Sequence, residues 1–533
     1  MSELKDDLQS PRAFPSPIPA RVDLAETHIS WVFLGEREVF KVKKPVNLGF
    51  LDFSTIDRRK GACEAEVALN ARMAPGIYLG VVPVRKSPAG AYFIDAAGSG
   101  AGEIVDWAVR MRRLPEANRA DVLLSEGKLD FPQVARLASK IAEFHAHARA
   151  DAEISRFGDP QLIEFNIREN FDQTRSFIQT YLSAEEAEEL ENWQLSFLRQ
   201  NSEVFQARVR DGHIRDGHGD LRLQQIYIGP EGQIVVLDCI EFNDRFRYGD
   251  VASDLAFLSM DLAFHGRADL AEHLLARYAR EMNDFNLFSV VDFYESYRAH
   301  VRAKVAGLIT HDSGIPYPIR SQVRHEARHY FLLALAFCRR SLIHPAVIAI
   351  GGTLASGKST IADWMGERLS APIIDADRTR KHLLGVAPTR FVGGPKWKGA
   401  YSLAMTKKVY DELFRRAEVI LDSGRSVILD ASFRSAKLRK LARELARAHQ
   451  APFRFIECTA PTSICHERLL KREHQSSISD ARAGLLDSFS KNFEPINELP
   501  PDEHVVLDTS QSIEASTRPL NERLPLWPPG FAA

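Results

Sequence analysis

With 533 residues, the chain is longer than one hydrophobic core usually serves, so two or three domains are expected. Its 45% hydrophobic and 26% charged residues are typical of a globular protein, and the formal net charge of −2 argues against a chain that coats nucleic acid. The sequence has no run of about 18 apolar residues, no secretory signal pattern and no metal-type pairing of its five cysteines, which predicts a reduced, cytoplasmic protein without a membrane partner.

The first 340 residues predict an α+β arrangement. Residues 1–27 contain four prolines between positions 11 and 19 and predict an extended lead-in. Residues 28–340 predict a small β-rich lobe and then a larger helical lobe, because apolar residues first alternate and later recur with helical spacing. The predicted elements are a hairpin over 29–43, a helix over 57–73, strands over 77–84 and 107–112, a helix over 131–148, and long helices within 160–210 and 250–340, on either side of a β-rich block at 213–245.

Beyond a join at 341–345, strands and helices alternate, which is typical of an α/β domain with a parallel sheet. This domain is predicted to span 346–511, and residues 512–533 form a Pro-rich tail along the surface. The predicted elements are a strand over 346–350, a helix from 360, a strand over 373–375, a helix over 401–422 that Gly424 terminates, and a strand over 426–430.

The strongest motif, G-x-x-x-x-G-K-S, lies between the strand over 346–350 and the helix that follows it. Its glycines let backbone N–H groups turn toward phosphate oxygens at the positive end of the helix. Lys358 is expected at the β- and γ-phosphates and Ser359 on Mg²⁺, which predicts ATP and Mg²⁺ as cofactors; a glycine-rich turn without a ligand is the alternative. The predicted nucleotide-binding residues here are Gly352, Thr353, Leu354, Ala355, Ser356, Gly357, Lys358, Ser359 and Thr360.

Carboxylates follow two further strands of this domain. In a doubly wound sheet the carboxyl ends of the strands face the ligand, so Asp377 is predicted to accept a proton from an acceptor hydroxyl. Arg380, one turn further on, could hold an anionic part of the acceptor, whereas Asp375 is better explained as a helix N-cap. Asp430 ends a buried strand, where a carboxylate is expected to hold Mg²⁺ through water; a turn-forming Asp is the alternative.

Arg468 and Arg472 are spaced i,i+4 and fall on one face of a predicted helix, either as a lid over the phosphates or as ordinary surface charges. Together with Asp377, Arg380 and the glycine-rich loop, they resemble the P-loop kinases of the polynucleotide kinase, zeta toxin and gluconate kinase type, over about 347–508. The resemblance matches Asp377 and Arg380 to an Asp-x-x-Arg element and the two later arginines to a lid. It implies phosphoryl transfer and leaves the acceptor open.

A second motif, His218-Gly-Asp220-Leu-Arg-Leu-Gln-Gln225, precedes a short strand that ends at Asp238. Phosphoryl transfer needs one carboxylate beside the acceptor hydroxyl and another on Mg²⁺, so Asp220 is predicted to be catalytic and Asp238 to bind metal. A turn-forming Asp after a buried His is the alternative.

This segment resembles the aminoglycoside phosphotransferase and choline kinase-like fold, with its H-G-D-L-H-x-x-N run and a later Gly-Asp…Asp-Leu-Ala element, here from Gly249. The resemblance implies a protein-kinase-like domain in which Lys41 pairs with phosphates and Glu66 is the ion-pair partner of Lys41; Lys43, on the same strand face, is the alternative to Lys41. The sequence departs from the family at Arg222, where a histidine is usual, and at Gln225, where a metal-binding asparagine is usual.

Read as a whole, the chain resembles a bacterial two-domain family described as bifunctional aminoglycoside phosphotransferase/ATP-binding proteins. The segments 28–55, Ile240-Glu-Phe-Asn and Ser479-Asp-Ala fit that family. The sequence thus predicts an ATP-dependent kinase that binds nucleotide and a hydroxyl-bearing acceptor, with nucleic acid only as a substrate, and an N-terminal domain that is a second or a degenerate kinase. The alternative is an ATP-regulated binding protein with a pseudokinase domain and no phosphorylated product.

Overall fold

The computed structural model describes residues 2–49, 51–96, 98, 100–339, 345–393, 399–473 and 477–521. Residues 341–344 of the predicted join and 522–533 of the predicted tail lie outside this part of the chain. Among the helices in these described ranges, none has the length and the apolar character needed to cross a membrane.

Strands and helices are labelled in chain order. The strands are β1 (Asp23–Glu26), β2 (Ser30–Leu34), β3 (Glu38–Lys43), β4 (Tyr78–Lys86), β5 (Tyr92–Ile94), β6 (Glu103–Arg112), β7 (Ile214–Asp216), β8 (Ile226–Ile228), β9 (Ile234–Val236), β10 (Tyr248–Asp250), β11 (Val347–Gly352), β12 (Ile373–Asp375), β13 (Val427–Asp430), β14 (Phe453–Thr459) and β15 (His504–Asp508). The α-helices are α1 (Ser2–Asp7), α2 (Ile56–Asn70), α3 (Ala120–Ser125), α4 (Phe131–His147), α5 (Ala152–Ser155), α6 (Pro160–Thr174), α7 (Ala184–Gln200), α8 (Ser202–Arg210), α9 (Asp244–Arg247), α10 (Val251–Phe264), α11 (Ala268–Met282), α12 (Val291–His311), α13 (Tyr317–Cys338), α14 (Lys358–Leu369), α15 (Ala376–Leu383), α16 (Leu403–Asp422), α17 (Ala436–Ala448), α18 (Thr462–Glu473), α19 (Leu486–Lys491) and α20 (Ile513–Asn521).

The chain divides into two compact units. Within the described residues, the first unit comprises 2–133, Glu143–Phe165 and Phe205–Asp261, and the second comprises Val134–Ala142, Asn166–Val204 and 262–521. The second unit therefore contains α11, α12 and α13 as well as the P-loop sheet. The join predicted at 341–345 does not coincide with a boundary between compact units, because packing, and not position in the sequence, decides which helices a sheet retains.

The first unit is built on a six-stranded antiparallel sheet with the order β1-β2-β3-β6-β4-β5. The predicted hairpin is confirmed, since β2 and β3 pair antiparallel with Val32 opposite Lys41. Thr55 is the N-cap of helix α2, and its side chain accepts a hydrogen bond from the N–H of Arg58. Its residue Cys63 is buried in a cluster with Val39 and neighbouring strand residues, so α2 lies against the sheet with Glu66 facing β3.

The prediction of an extended lead-in over residues 1–27 is wrong. Residues 2–7 form helix α1, and β1 pairs antiparallel with β2 as the edge of the sheet. Leu4, Leu8 and Phe14 are buried in the same hydrophobic cluster as Phe33 and other sheet residues. The prolines were a misleading signal because burying these apolar side chains offsets the cost of ordering the segment.

The second unit contains a five-stranded parallel sheet with the order β12-β13-β11-β14-β15. Every residue of the central strand β11 is buried, as expected for a parallel strand covered on both faces. Helices α14 and α20 cover one face through a cluster that includes Ile350, Ile361 and Leu520. The predicted fold class, a kinase-like α+β domain followed by an α/β P-loop domain, is confirmed.

The prediction of a surface tail from residue 512 is wrong over the first part of that segment. Residues 513–521 form α20, and the side chain of Leu520 is buried in the core beside β15. Pro519 lies inside this helix near its end, where only a few backbone hydrogen bonds are at stake.

Candidate functional site

The loop between β11 and α14 is shaped to hold an anion. Its backbone is left-handed at three positions, with φ of 142° at Gly352, 56° at Ala355 and 82° at Gly357. A β-carbon on Gly352 would lie 2.3 Å from the carbonyl oxygen of Cys458, so only glycine fits there. Helix α14 begins directly after the loop, so its first N–H groups, which have no intrahelical partners, open toward the same space.

Lys358 and Ser359 stand at the start of α14. The half-buried Lys358 donates a hydrogen bond from Nζ to the carbonyl oxygen of Thr353 at 2.6 Å, and burial lowers its pKa. The Ser359 hydroxyl lies close enough to Asp430, at the end of β13, to lower the pKa of that carboxyl group. Burial, together with the neighbouring carboxylate of Asp375, raises the pKa of Asp430 to about 6. A buried carboxylate with this pKa favours a bound cation.

Asp375 and Asp377 have different surroundings. Oδ1 of Asp375 accepts a hydrogen bond from the N–H of Arg378 at 2.6 Å, so this residue is the N-cap of α15, the preferred explanation from the sequence. Asp377 is half-buried, and burial raises its pKa, while the nearby Ser479 side chain acts in the opposite direction. A raised pKa suits a carboxylate that takes up a proton during a reaction.

Arg380 lies one turn further along α15 and is buried. Its Nη1 donates a hydrogen bond to the carbonyl oxygen of Ala400 at 2.8 Å, and its guanidinium lies 4.4 Å from the centre of the Tyr401 ring. Its positive charge partly opposes the rise in the pKa of Asp377 that burial causes, so the two side chains lie close enough to interact electrostatically. The structure thus brings together both members of the predicted Asp-x-x-Arg element.

A cluster of polar side chains beside α15 had no assigned role in the sequence. Asp480, which is buried, accepts hydrogen bonds from Nζ of Lys381 at 2.8 Å and from the Tyr401 hydroxyl at 2.9 Å. Asp480 directly follows Ser479, the residue whose side chain lowers the pKa of Asp377. The segment Ser479-Asp-Ala could be matched to the family from the sequence. Its contacts with Lys381 and Tyr401 could not be predicted, because about a hundred residues separate it from α15.

Arg468 and Arg472 share one face of α18, as their spacing predicts. Arg468 donates hydrogen bonds to the carbonyl oxygens of Ala355, at 3.2 Å, and of Thr509, at 2.6 Å, and so joins the P-loop to the end of β15. Arg472 lies close enough to Lys358 to lower the pKa of that lysine. The lid role of the two arginines stays a prediction.

The first unit carries a separate buried cluster of lysines and carboxylates. Nζ of Lys41 lies 2.9 Å from Oε1 of Glu66 and 2.6 Å from Oδ1 of Asp238. Nζ of the fully buried Lys43 lies 2.7 Å from Oε2 of Glu66 and also contacts Glu241, a residue with no assigned role in the sequence. Although burial opposes its charge, the two lysines hold the pKa of Glu66 down at about 2. Both candidate lysines therefore contact Glu66, but only Lys41 reaches Asp238.

Asp238 follows β9 in a left-handed conformation, with φ of 62°, which is unusual for a residue other than glycine and is typical of functional positions. Its backbone N–H donates to the Tyr78 hydroxyl at 3.2 Å. Gln225 lies beside it, with 3.4 Å between Nε2 of the amide and Oδ2 of Asp238. The two predicted metal ligands of this unit are thus neighbours, although glutamine replaces the family's asparagine.

Asp220 is engaged by Arg222, the residue that replaces the family's second histidine. The guanidinium forms a two-pronged ion pair, with Nε 2.7 Å from Oδ1 and Nη2 2.8 Å from Oδ2 of Asp220. The loop that carries Asp220 is fixed by Asp254, which accepts hydrogen bonds from the N–H groups of His218, at 2.6 Å, and Gly219, at 2.9 Å. Asp254 thus holds the loop in place, while the carboxylate of Asp220 is paired with the guanidinium of Arg222.

The donor chemistry at both places suits Mg²⁺. Ser359 and Asp430 in the second unit, and Gln225 and Asp238 in the first, supply the oxygen ligands that this cation prefers. Within the described ranges, no group of three or more His, Cys, Asp or Glu side chains that could hold a metal ion occurs.

The fold and these sites define a phosphotransferase-type domain followed by a P-loop domain. The chain matches the phosphotransferase enzyme family over residues 60–294 and the AAA domain family over residues 347–496. It is 33% identical over 461 residues to uncharacterized protein Rv2004c of Mycobacterium tuberculosis and equally to uncharacterized protein Mb2027c of Mycobacterium bovis. These alignments cover 86% of this chain and 88% of each relative. The chain belongs to the same two-domain family.

Two solved structures are similar to portions of this chain. A gluconokinase from Sinorhizobium meliloti is 20% identical, with a TM-score of 0.25, over 34% of this chain and 90% of that chain. A choline/ethanolamine kinase family protein from Mesorhizobium loti is 13% identical, with a TM-score of 0.35, over 63% of this chain and 98% of that chain. At these low TM-scores the similarity gives no information about the substrate or the activity of this chain.

Proposed function

We propose that the protein is an ATP-dependent kinase whose P-loop site transfers the γ-phosphoryl group to a hydroxyl-bearing small molecule or nucleic-acid end. The observation that carries the proposal is the placement of a proton acceptor beside a phosphate loop. Asp377 has a raised pKa and lies on α15, which follows β12. The phosphate loop follows β11, two strands away in the same parallel sheet, and Asp377 is close enough to Lys358 to act on the pKa of that lysine. A domain that only binds or hydrolyses nucleotide does not need a carboxylate poised for an acceptor hydroxyl.

In this proposal each side chain has one task. Asp377 accepts the proton of the acceptor hydroxyl as its oxygen bonds to the γ-phosphorus, and the bond between that phosphorus and the β,γ-bridging oxygen breaks to release ADP. Lys358 and the loop N–H groups balance charge on the phosphate oxygens. Arg380 holds a negative group of the acceptor. Ser359 and Asp430 would hold Mg²⁺, which supplies charge neutralisation on the phosphates when bound.

The test is Asp377→Asn in the full-length protein. An amide cannot take up the proton, so transfer should fall at least about a hundredfold while the ATP dissociation constant stays within about twofold. Asp411→Asn, on the exposed face of α16, is the matched control and should leave both quantities unchanged. Transfer is followed by mass spectrometry of a small-molecule cell extract incubated with the protein and ATP labelled in its γ-phosphoryl oxygens.

For the first unit, we propose a degenerate kinase site that binds nucleotide but does not transfer phosphate efficiently. The two-pronged ion pair between Arg222 and Asp220 supports this proposal, because a carboxylate bound on both oxygens by a guanidinium is a poor acceptor for a hydroxyl proton. The Lys41–Glu66 pair and Asp238 retain the groups that would contact phosphates and metal.

The two sites can be separated by experiment. In a Lys358→Ala background, where the P-loop is disabled, we expect no transfer that depends on Asp220. Adding Arg222→His should free the carboxylate and produce measurable transfer that Asp220→Asn then removes. Transfer that depends on Asp220 already in the Lys358→Ala protein would show that the first unit is a live kinase and contradict the degenerate assignment.

The competing function is an ATP-regulated binding protein with no phosphorylated product. It predicts that no labelled phosphate appears in any extract component, with the unaltered protein or with Asp377→Asn. The substitution then has no transfer activity to remove. Tight ATP binding without transfer over the whole extract would therefore favour this second function over the kinase.

A further inference from the structure

Helix α11 precedes the P-loop domain in the sequence, yet it belongs to the same compact unit as the P-loop sheet. At the beginning of the helix, the carbonyl oxygen of Asp269 accepts a hydrogen bond from the hydroxyl of Ser370 at 2.8 Å. At its end, the side-chain oxygen of Asn283 accepts one from Nη1 of Arg416 at 2.9 Å. Both ends of α11 are therefore fixed to residues of the P-loop domain.

An ion-pair network strengthens this attachment. Arg425, just before β13, donates to Glu272 of α11 from Nε at 2.6 Å and from Nη2 at 2.9 Å, and to Asp292 of α12 at 2.7 Å. Burial opposes the charge of Arg425, yet the two carboxylates raise its pKa well above the usual value. Breaking a partly buried ion pair of this kind is costly, so α11 is held firmly against the sheet.

Arg280 is the residue of α11 that reaches the P-loop site. Its side chain is 10% exposed; its Nη1 lies 2.5 Å from Oδ1 of Asp363 on α14, and its Nε lies 3.5 Å from Oδ2 of Asp375. Asp430 also acts on its pKa, so the guanidinium lies within electrostatic range of the proposed metal-binding carboxylate. One arginine thus connects the helix after the P-loop with the strand end beside it.

The contact between Arg280 and Asp375 is relevant to the site because Asp375 is the N-cap of α15. Its other oxygen, Oδ1, caps the first turn of α15 by accepting from the N–H of Arg378. That turn carries Asp377, and Arg380 follows it. A carboxylate is planar, so cations that fix Oδ2 also fix the direction in which Oδ1 meets the helix. Besides Arg280, Nε of Arg378 lies 3.5 Å from this oxygen.

We infer that Arg280 is a positioning residue of the P-loop site, which acts through Asp375 to hold the first turn of α15 and thereby Asp377. The site is then incomplete without a side chain from the helical segment that the sequence assigns to the preceding domain. The transfer readout of this inference rests on the proposed kinase function, whereas its structural readout does not.

The structural readout is amide hydrogen exchange of a peptide covering residues 373–384 in the full-length protein. Arg280→Gln should make exchange in the first turn of α15 about five- to tenfold faster, because loss of a charged contact loosens the cap. Arg415→Gln is the matched control: Arg415 contacts Asn286, just beyond the end of α11, and has no contact with Asp375 among the described residues, so exchange over 373–384 should not change.

A second variant tests whether the effect passes through Asp375. Asparagine still caps a helix but cannot form the ion pair, so Arg280→Gln should add nothing to exchange in an Asp375→Asn background. Unchanged exchange in Arg280→Gln, or an equal increase in the Asp375→Asn background, would overturn the inference. If Arg280→Gln does not fold, Asp363→Asn decides: it removes the other anchor of the guanidinium, and exchange over 373–384 should again increase, by a smaller factor.

The transfer readout separates the inference from the proposed function. With kinase activity established in the unaltered protein, Arg280→Gln should lower kcat about tenfold or more and leave the ATP dissociation constant within about twofold, because the phosphate loop itself is untouched. An unaltered protein that transfers nothing would defeat the proposed function, while the exchange measurements would still decide the positioning role.

Discussion

Replacing Asp430 by asparagine should stabilise the second unit and at the same time disable its site. The side chain is 5% exposed, and burial, together with the nearby Asp375, raises its pKa from 3.8 to about 6. Each pKa unit corresponds to about 1.4 kcal/mol, so the ionised carboxylate costs the folded state about 3 kcal/mol at pH 8. Asparagine has nearly the same shape and no charge, and it should recover most of that amount.

The pH dependence gives the sign of the effect. The folded-state pKa lies above the unfolded one, so the folded protein holds the proton more tightly. The penalty is therefore fully present above about pH 6 and vanishes as the pH falls toward the unfolded value near 4. The advantage of the asparagine variant should accordingly be largest at pH 8, about half as large near pH 5, and absent below pH 4.

The assay is urea unfolding of the full-length protein without nucleotide, at several pH values, read by hydrogen exchange of the β11 and β13 peptides so that the second unit is observed by itself. Asp508→Asn is the matched control, because that carboxylate also ends a strand but has a lowered pKa and is exposed. The reasoning is refuted if Asp430→Asn gives no gain at pH 8, or if the gain is the same at pH 8 and pH 4. Binding of ATP in the presence of Mg²⁺ should weaken in the same variant by tenfold or more.

Two further predictions concern one variant in each unit, and each depends on a tightly packed or buried position. Gly352→Ala would place a β-carbon 2.3 Å from the carbonyl oxygen of Cys458 at a φ of 142°, so ATP binding measured by equilibrium dialysis should be lost, with a stability cost of about 2 kcal/mol or more. Lys43→Met would leave the buried carboxylates of Glu66 and Glu241 with one cation fewer, and the first unit should lose about 3–5 kcal/mol, seen as faster proteolysis of that unit at constant temperature. Retained ATP binding in the first variant, or unchanged proteolysis in the second, would contradict these expectations.

The sequence identified the parts of the P-loop site that depend on local geometry. A motif of eight residues between a strand and a helix fixes its own backbone, so the positions of Gly352, Lys358 and Ser359 relative to one another follow from their order alone. Strand ends meet at one edge of a parallel sheet, which is why Asp430 could be expected next to Ser359. In the first unit, hydrophobic alternation predicted the hairpin strand that carries Lys41, and the family resemblance paired this lysine with Glu66.

Contacts between distant segments could not be obtained in this way. The pairing of Asp480 with Lys381, the attachment of Arg222 to Asp220 and the approach of Arg280 to Asp375 each depend on side-chain directions that only the packed chain defines. Buried apolar side chains near both ends of the described chain also contradict the predictions of an extended lead-in and of a surface tail that begins at residue 512. Composition reports the average preference of a segment and does not show which apolar surface the segment can cover.

By itself, then, the sequence determined that the chain carries a phosphate loop in an α/β domain and a kinase-like α+β domain before it, since local motifs and apolar periodicity encode elements and their class. The tertiary structure decided which carboxylates are capped, paired or left to take up a proton, and it placed helix α11 with the P-loop sheet. The physical reason is that ionisation and positioning are set by burial and by partners brought together across long stretches of chain, and neither is a property of a residue's neighbours in the sequence.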